Sequence, residues 1–357
     1  MRLILGGIER GKIDIQQVGD DGFHCEYASF SSSFSSGTPV RVFASINHGN
    51  KSSTVHDTAF IWVEDVTTIH FKACLVQGGQ GAGGNTTIDW FAFQGSQSGV
   101  YQGETSFTLF TTGTKCSRVA FPQAFSLVPK VQVTVKHGTS NQKQDAMSVW
   151  IANVSTSQFE VCLRESRTFD GPHSNIAVNW LAYDNYPSSW EAKELSEVTF
   201  SYNEVPAAEN NYALCKNVNF TNPFYAPPVV LTTVINGGNN NANTACSWLE
   251  EITNSYFRVC IKDDAGYDGQ RGTIIVDYLV IGAASTTVTA YPCLYTDLLV
   301  VVKAAARHTK NRSALRTVVH SETCACLSKT YVQHVEIIPS IILEAVQVII
   351  PDKHTQT

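Results

Sequence analysis

Two loops of this chain gather an aromatic ring, a carboxylate and a basic group within a few residues. They read Arg167-Thr-Phe169-Asp170-Gly171-Pro-His173 and Asp264-Ala-Gly-Tyr267-Asp268-Gly269-Gln-Arg271. Phe169 and Tyr267 hold matching places, and each is followed by Asp-Gly. A carboxylate and a cation hold hydroxyl groups in fixed directions, while a flat ring covers an apolar face at little cost in rotamer entropy. The same Asp and Gly would equally serve a tight turn, so the residues alone leave both readings open. In the corresponding place a third stretch, Gln77-Gly-Gly-Gln-Gly-Ala-Gly-Gly-Asn85, has neither acid nor aromatic. Its glycines make no phosphate cradle, because the strand pattern from Thr87 to Phe93 follows where such a loop needs a helix.

These loops are comparable because the chain repeats itself. Trp62-Val-Glu-Asp-Val66-Thr67 to Phe71-Lys-Ala-Cys74 aligns with Trp150-Ile-Ala-Asn-Val154-Ser155 to Phe159-Glu-Val-Cys162. It aligns also with Trp248-Leu-Glu-Glu-Ile252-Thr253 to Phe257-Arg-Val-Cys260. Upstream of each lies a cysteine with two aromatics: Cys25, Phe30 and Phe34; Cys116, Phe121 and Phe125; Cys215, Phe220 and Phe224. Downstream come Asp89-Trp90, Asn179-Trp180 and Asp277-Tyr278, each opening an apolar run. A repeat this long marks whole domains. We expect them at residues 9–95, 96–186 and 187–282. Residues 283–357 read as a linker and the truncated start of a possible fourth copy, signalled by Cys326, Tyr331, Val335 and Pro339.

The elements that must carry the loops are strands. Val131-Gln-Val133-Thr-Val135 alternates as a half-buried strand does, and Met147 to Ile151, Phe159 to Leu163 and Ile176 to Tyr183 continue the pattern. Pro39, Pro129 and Pro228 stand where strands begin, so their missing amide breaks no ladder. No segment of a repeat sustains a helical period. The expected fold is all-β: three tandem small sandwiches of five or six short antiparallel strands each, and a poorly defined C-terminal tail. The repeated tryptophans share the phase of their apolar neighbours and read as core.

Composition excludes several functions. A formal net charge of −6 gives no footprint for a nucleic-acid backbone. The basic run Lys303, Arg307, Lys310, Arg312 and Arg316 reads as a solvated linker or helix face. No stretch reaches the roughly 18 to 20 apolar residues of a membrane span, and residues 1–7 are too short for a signal peptide. No zincin helix, nucleophile elbow or paired-cysteine metal motif is present, and Cys324-Ala-Cys326 has the wrong spacing for zinc. We therefore expect no catalytic residue, no metal and no cofactor, and a protein that is not an enzyme.

Six of the ten cysteines recur as pairs, one early and one late in each copy: Cys25 with Cys74, Cys116 with Cys162, Cys215 with Cys260. They suit one internal disulfide per copy, or two buried thiols. Cys246, Cys293 and Cys324 follow no repeat logic. Sequons at Asn50, Asn85, Asn153, Asn219 and Asn311 fit a secreted glycoprotein.

Taken together, the residues resemble the H-type lectin domain family over about 9 to 282. The likeness rests on Phe220-Thr-Asn-Pro-Phe224-Tyr-Ala-Pro-Pro228-Val-Val, on the Val-Ser/Thr-x3-Phe step, on the closing Ile-x-Trp-Ile/Leu-Ala, and on Gly11-Lys12-Ile13-Asp14 as opening strand. The resemblance implies six-stranded sandwiches that assemble in threes and bind galactose or N-acetylgalactosamine through loops at one end, without metal. It implies an arginine at a position occupied here by Thr58, Ala146 and Thr244, so that residue is missing from all three copies. Asp57, Asp145 and Asn243 stand just before it and would bind hydroxyls or cap a strand. The carbohydrate-binding set implied is Asp145, Arg167, Phe169, Asp170 and His173 in the second copy, and Asn243, Tyr267, Asp268 and Arg271 in the third. The first copy is expected to bind weakly or not at all.

The expected protein is a secreted, multivalent lectin for glycans ending in galactose or N-acetylgalactosamine, acting in adhesion or recognition. The spans from Trp90 to Cys116 and from Trp180 to Cys215 are long enough to let the three copies form a pseudo-trimer within one chain, or the chain forms a homo-oligomer. The alternative is a structural adhesion protein whose sandwiches bind other proteins.

Overall fold

The computed structural model describes residues 7–15, 23–49, 58–77, 86–108, 113–138, 147–165, 175–187, 190, 192–201, 204–207, 213–236, 245–263 and 273–283. The chain divides into two compact units, 1–286 and 287–357, and every described residue lies in the first. Cys293, Cys324, Cys326 and the possible fourth copy fall outside them.

Each sequence copy supplies six strands. The first has β1 Ile8–Ile15, β2 Phe23–Ser29, β3 Val40–Asn47, β4 Ala59–Glu64, β5 His70–Gln77 and β6 Thr86–Gln94. The second has β7 Val100–Phe107, β8 Thr114–Ala120, β9 Lys130–His137, β10 Met147–Ala152, β11 Gln158–Glu165 and β12 Ile176–Tyr183. The third has β13 Ala192–Phe200, β14 Leu214–Asn219, β15 Val229–Asn236, β16 Ala245–Glu250, β17 Tyr256–Asp263 and β18 Ile274–Ile281.

The recurring motifs have local causes. In each copy the hydroxyl of Thr67, Ser155 or Thr253 accepts the N–H three residues on, from His70 at 3.0 Å, Gln158 at 3.2 Å and Tyr256 at 3.0 Å. This hydroxyl closes the turn between the Trp strand and the Cys strand. Asp65, Asn153 and Glu251 open that turn with φ of 48°, 52° and 47°, a left-handed backbone that Asp and Asn tolerate better than Glu. Both phenylalanines of each upstream pair donate their N–H to carbonyls of the same turn, as in Phe121 to Ser157 and Phe125 to Thr156. Gly11 lies beneath the ring of Trp90, where a Cβ would come within 2.7 Å of an indole carbon, so only glycine fits.

Within a copy every pairing is antiparallel and forms two three-stranded sheets, β1-β6-β3 and β2-β5-β4 in the first. Between copies the edges join in parallel. Trp62 on β4 pairs with Val135 on β9, Ile151 on β10 with Ile235 on β15, and Leu249 on β16 with Asn47 on β3. The result is three six-stranded sheets, each shared by two copies: β2-β5-β4-β9-β12-β7, β13-β18-β15-β10-β11-β8 and β1-β6-β3-β16-β17-β14. The sheets are thus mixed, not purely antiparallel as expected. First joins second, second joins third and third joins first, so the copies close a ring within one chain.

Closure changes what the strands bury. Strand β9 was expected to be half-buried, yet Gln132 is 1% and Thr134 2% exposed. Their face packs on the neighbouring copies, so the alternating pattern understated burial. The three tryptophans are core residues of the copy next door: Trp62 packs with Val135 and Phe159, Trp150 with Phe224 and Phe257, Trp248 with Phe34 and Phe71. A further cluster draws on all three copies through the equivalent Phe91, Leu181 and Leu279. Trp190, from the segment between β12 and β13, is fully buried there against Phe91, Phe93 and Tyr183.

Candidate functional site

The strand ladders decide where the loops leave the fold. In the second copy the end of β9, His137, pairs with the start of β12, Ile176, and the start of β10, Met147, pairs with the end of β11, Glu165. The strand ends at His137, Met147, Glu165 and Ile176 therefore share one end of the sandwich. Gly138 donates its N–H to the carbonyl of Asn175 at 2.8 Å and ties two of these ends together. The first copy repeats this with Asn47 against Thr87 and Ala59 against Gln77. The third does so with Asn236 against Ile274 and Ala245 against Asp263.

Asp145, Arg167, Phe169, Asp170, His173, Asn243, Tyr267, Asp268 and Arg271 all belong to these loops, and all lie outside the described residues. The described strand ends that bound residues 139–146 and 166–174 meet in the second copy, and those that bound 237–244 and 264–272 meet in the third. Thr58, where the family arginine would stand, is buried at 4% exposure.

The loop roots also rest on the preceding copy. His137 stacks on Trp62 at 5.0 Å and 21°, and His48 meets Trp248 at 6.0 Å. The Trp62 indole N–H donates to Glu64 at 2.8 Å, and that of Trp248 to Glu250 at 3.1 Å. Glu64 lies with Cys25 and Cys74, and Glu250 with Cys215 and Cys260, close enough together for a metal. The sulfurs are joined as disulfides and supply no thiolate. The third disulfide is Cys116–Cys162, and all three join residues directly opposite on neighbouring strands.

Charge is concentrated at the joints. Lys130 of the second copy binds Asp277 of the third at 2.8 Å and also Glu197. Arg41 of the first reaches Glu104 of the second at 3.8 Å, where Lys136 adds a 2.8 Å contact. At the third joint Val229 holds the equivalent place, and Asp89 is paired at 2.7 Å with Lys12 of its own copy. Asp89 also accepts the Val230 N–H at 2.9 Å. Burial pushes the Asp277 carboxyl up to about 6, against the pull of Lys130, and raises that of Asp89 against Lys12. Burial opposes the Lys130 ammonium, but Asp277 and Glu197 prevail and hold it above its ordinary value. These acids face strands, not the loops, and serve assembly.

A cavity of about 70 Å³ lies where the copies meet, lined by Ser45, Thr134, Thr233 and their neighbours without a charged side chain. The buried thiol of Cys246 is in its wall, 3.8 Å from Ser148 Oγ. Hydroxyls and aliphatic groups meeting between strands make this a packing feature.

Residues 117–183, from β8 through β12, match the model of the H-type lectin domain family. The second copy carries an H-type lectin domain. The match spans both loop roots of that copy, its turn hydroxyl and Cys162, and begins one residue after Cys116. An H-type lectin domain on an all-β scaffold points to carbohydrate binding rather than catalysis. No curated protein and no solved structure matches the chain. Among the described residues no helix is long and apolar enough to cross a membrane.

Sequence reasoning missed the joints. Asp89, Asn179 and Asp277 were visible as a column one residue before each closing aromatic, but a column does not say which neighbour it meets.

Proposed function

We propose that the chain is a multivalent extracellular lectin for glycans ending in galactose or N-acetylgalactosamine, acting in adhesion or recognition. The observation that carries this reading is the H-type lectin match over 117–183, read with the convergence of loop roots 137–138 and 175–176 in the same copy. Asp145, Arg167, Phe169, Asp170 and His173 form the second copy's site, and Asn243, Tyr267, Asp268 and Arg271 the third's. Carboxylates and cations orient the hydroxyls, and the rings cover the apolar face. The first copy, with its glycine loop, contributes little. Weak sites carried on one ring act together, because linkage raises their effective concentration. Three disulfides and the exposed sequon residues Asn153 and Asn219 support secretion and glycosylation.

A glycan array of the intact chain tests the reading, repeated with Asp170→Ala and Asp268→Ala. Each variant should lower binding to galactose-type termini, and the double variant should lower it most. Buried Thr58 in place of an arginine favours the second reading, a structural adhesion protein that binds other proteins. Absence of binding to every glycan would favour it over the lectin.

A further inference from the structure

The first copy lacks acid and aromatic in its variable loop, yet it carries both on another surface. Among the described residues five large hydrophobic side chains are exposed, and two of them, Tyr27 at 59% and Ile69 at 53%, flank the turn between β4 and β5. The Tyr27 ring is held in place. Its hydroxyl donates to Asp65 Oδ2 at 3.2 Å, and the His70 ring stands edge-on at 5.5 Å and 81°. Lys72 Nζ lies 5.8 Å from the ring centroid. Lys72 is itself buried and paired with Glu64 at 3.3 Å, so it underlies the inner face and leaves the outer face to solvent. A ring so fixed stacks on a ligand without losing rotamer freedom. The strand register puts Arg118 and Asn217 at the equivalent positions of the other copies, and neither offers a ring.

The geometry points to Tyr27, with Asp65 and His70, as a saccharide subsite on the first copy, separate from the loops after the repeated cysteines. Its ligand is a neutral hexopyranose residue of a glycan. The C–H face of the sugar lies on the exposed face of Tyr27, its hydroxyls meet the Asp65 carboxylate and the His70 imidazole, and the carboxylate repels an acidic sugar. This subsite rests on the carbohydrate-binding reading given above.

The test uses the full chain carrying Asp170→Ala and Asp268→Ala on an array of neutral and sialylated glycans. Residual binding to neutral glycans should fall by about fivefold or more when Tyr27→Ala is added, and Tyr27→Phe should retain most of it. Tyr27 is exposed, so an unchanged melting temperature confirms that each variant folds. Tyr27→Ala leaving every signal as in its parent, or no residual binding in the loop double variant, overturns the subsite while the lectin reading stands. A wild-type chain that binds no glycan overturns both.

Discussion

The hydroxyl of Ser45 accepts the backbone N–H of Thr232 at 2.8 Å, across 187 residues of chain. Two equivalent bonds complete the circuit: Thr134 accepts from Ala44 at 3.0 Å and Thr233 from Val133 at 3.1 Å. Each copy offers one hydroxyl to the copy before it in the ring. A buried N–H left without an acceptor costs about 1–3 kcal/mol. Thr134→Val should therefore destabilise the protein by that amount in urea unfolding, and Thr134→Ser should restore most of it. A Val variant as stable as wild type would show that the ring does not depend on these bonds.

The tryptophans should behave as joints. Trp62→Ala removes a 1% exposed side chain from the core of the second copy and should cost about 3–5 kcal/mol. Hydrogen exchange should show lost protection in β9 of the second copy as well as in β4. Loss confined to the first copy would contradict the joint.

Charge at the joints can be rewired by copying one joint onto another. Lys130→Val should cost roughly 3–5 kcal/mol, because it strands Asp277 and Glu197 beside each other. Adding Glu197→Lys recreates the arrangement of Val229, Lys12 and Asp89 at the third joint, since Lys12 and Glu197 stand opposite Asp89 and Asp277. A double-mutant cycle should show recovery of more than half the loss; additive losses would refute the exchange.

Asp277 sets a pH dependence. Burial lifts its folded pKa to about 6, above the ordinary carboxyl value of 3.8. Its contribution to stability is therefore greatest below pH 3.8 and declines as pH rises through 6. At about 1.4 kcal/mol per unit, the change is of order 3 kcal/mol. Asp277→Asn, which copies Asn179 of the second repeat, should flatten the stability profile between pH 4 and 6. An unchanged slope would place the titration elsewhere.

The disulfides close loops of 49, 46 and 45 residues, and each should contribute about 4 kcal/mol by chain entropy. Cys116→Ala with Cys162→Ala should lower the melting temperature by several degrees. No change in melting temperature would show that this cross-link contributes little.

Much of the fold was legible because its signals are local. The Trp, Phe and Cys register, the turn hydroxyls and the strand alternation act within a few residues, so they made three all-β copies legible and marked Cys25, Cys116 and Cys215 as candidates to pair with Cys74, Cys162 and Cys260. The loops after each repeated cysteine could be singled out in the same way, as places where three aligned copies differ. What sequence could not determine is which copy each residue serves. Trp62 and Asp277 read as core and as strand residues of their own copies, and only closure of the ring turned them into joints. Their partners lie in other copies, and nothing in spacing records a contact made across a parallel sheet edge. Gln132 and Thr134 look solvent-facing by alternation for the same reason. Their second face is covered only after all three copies have met.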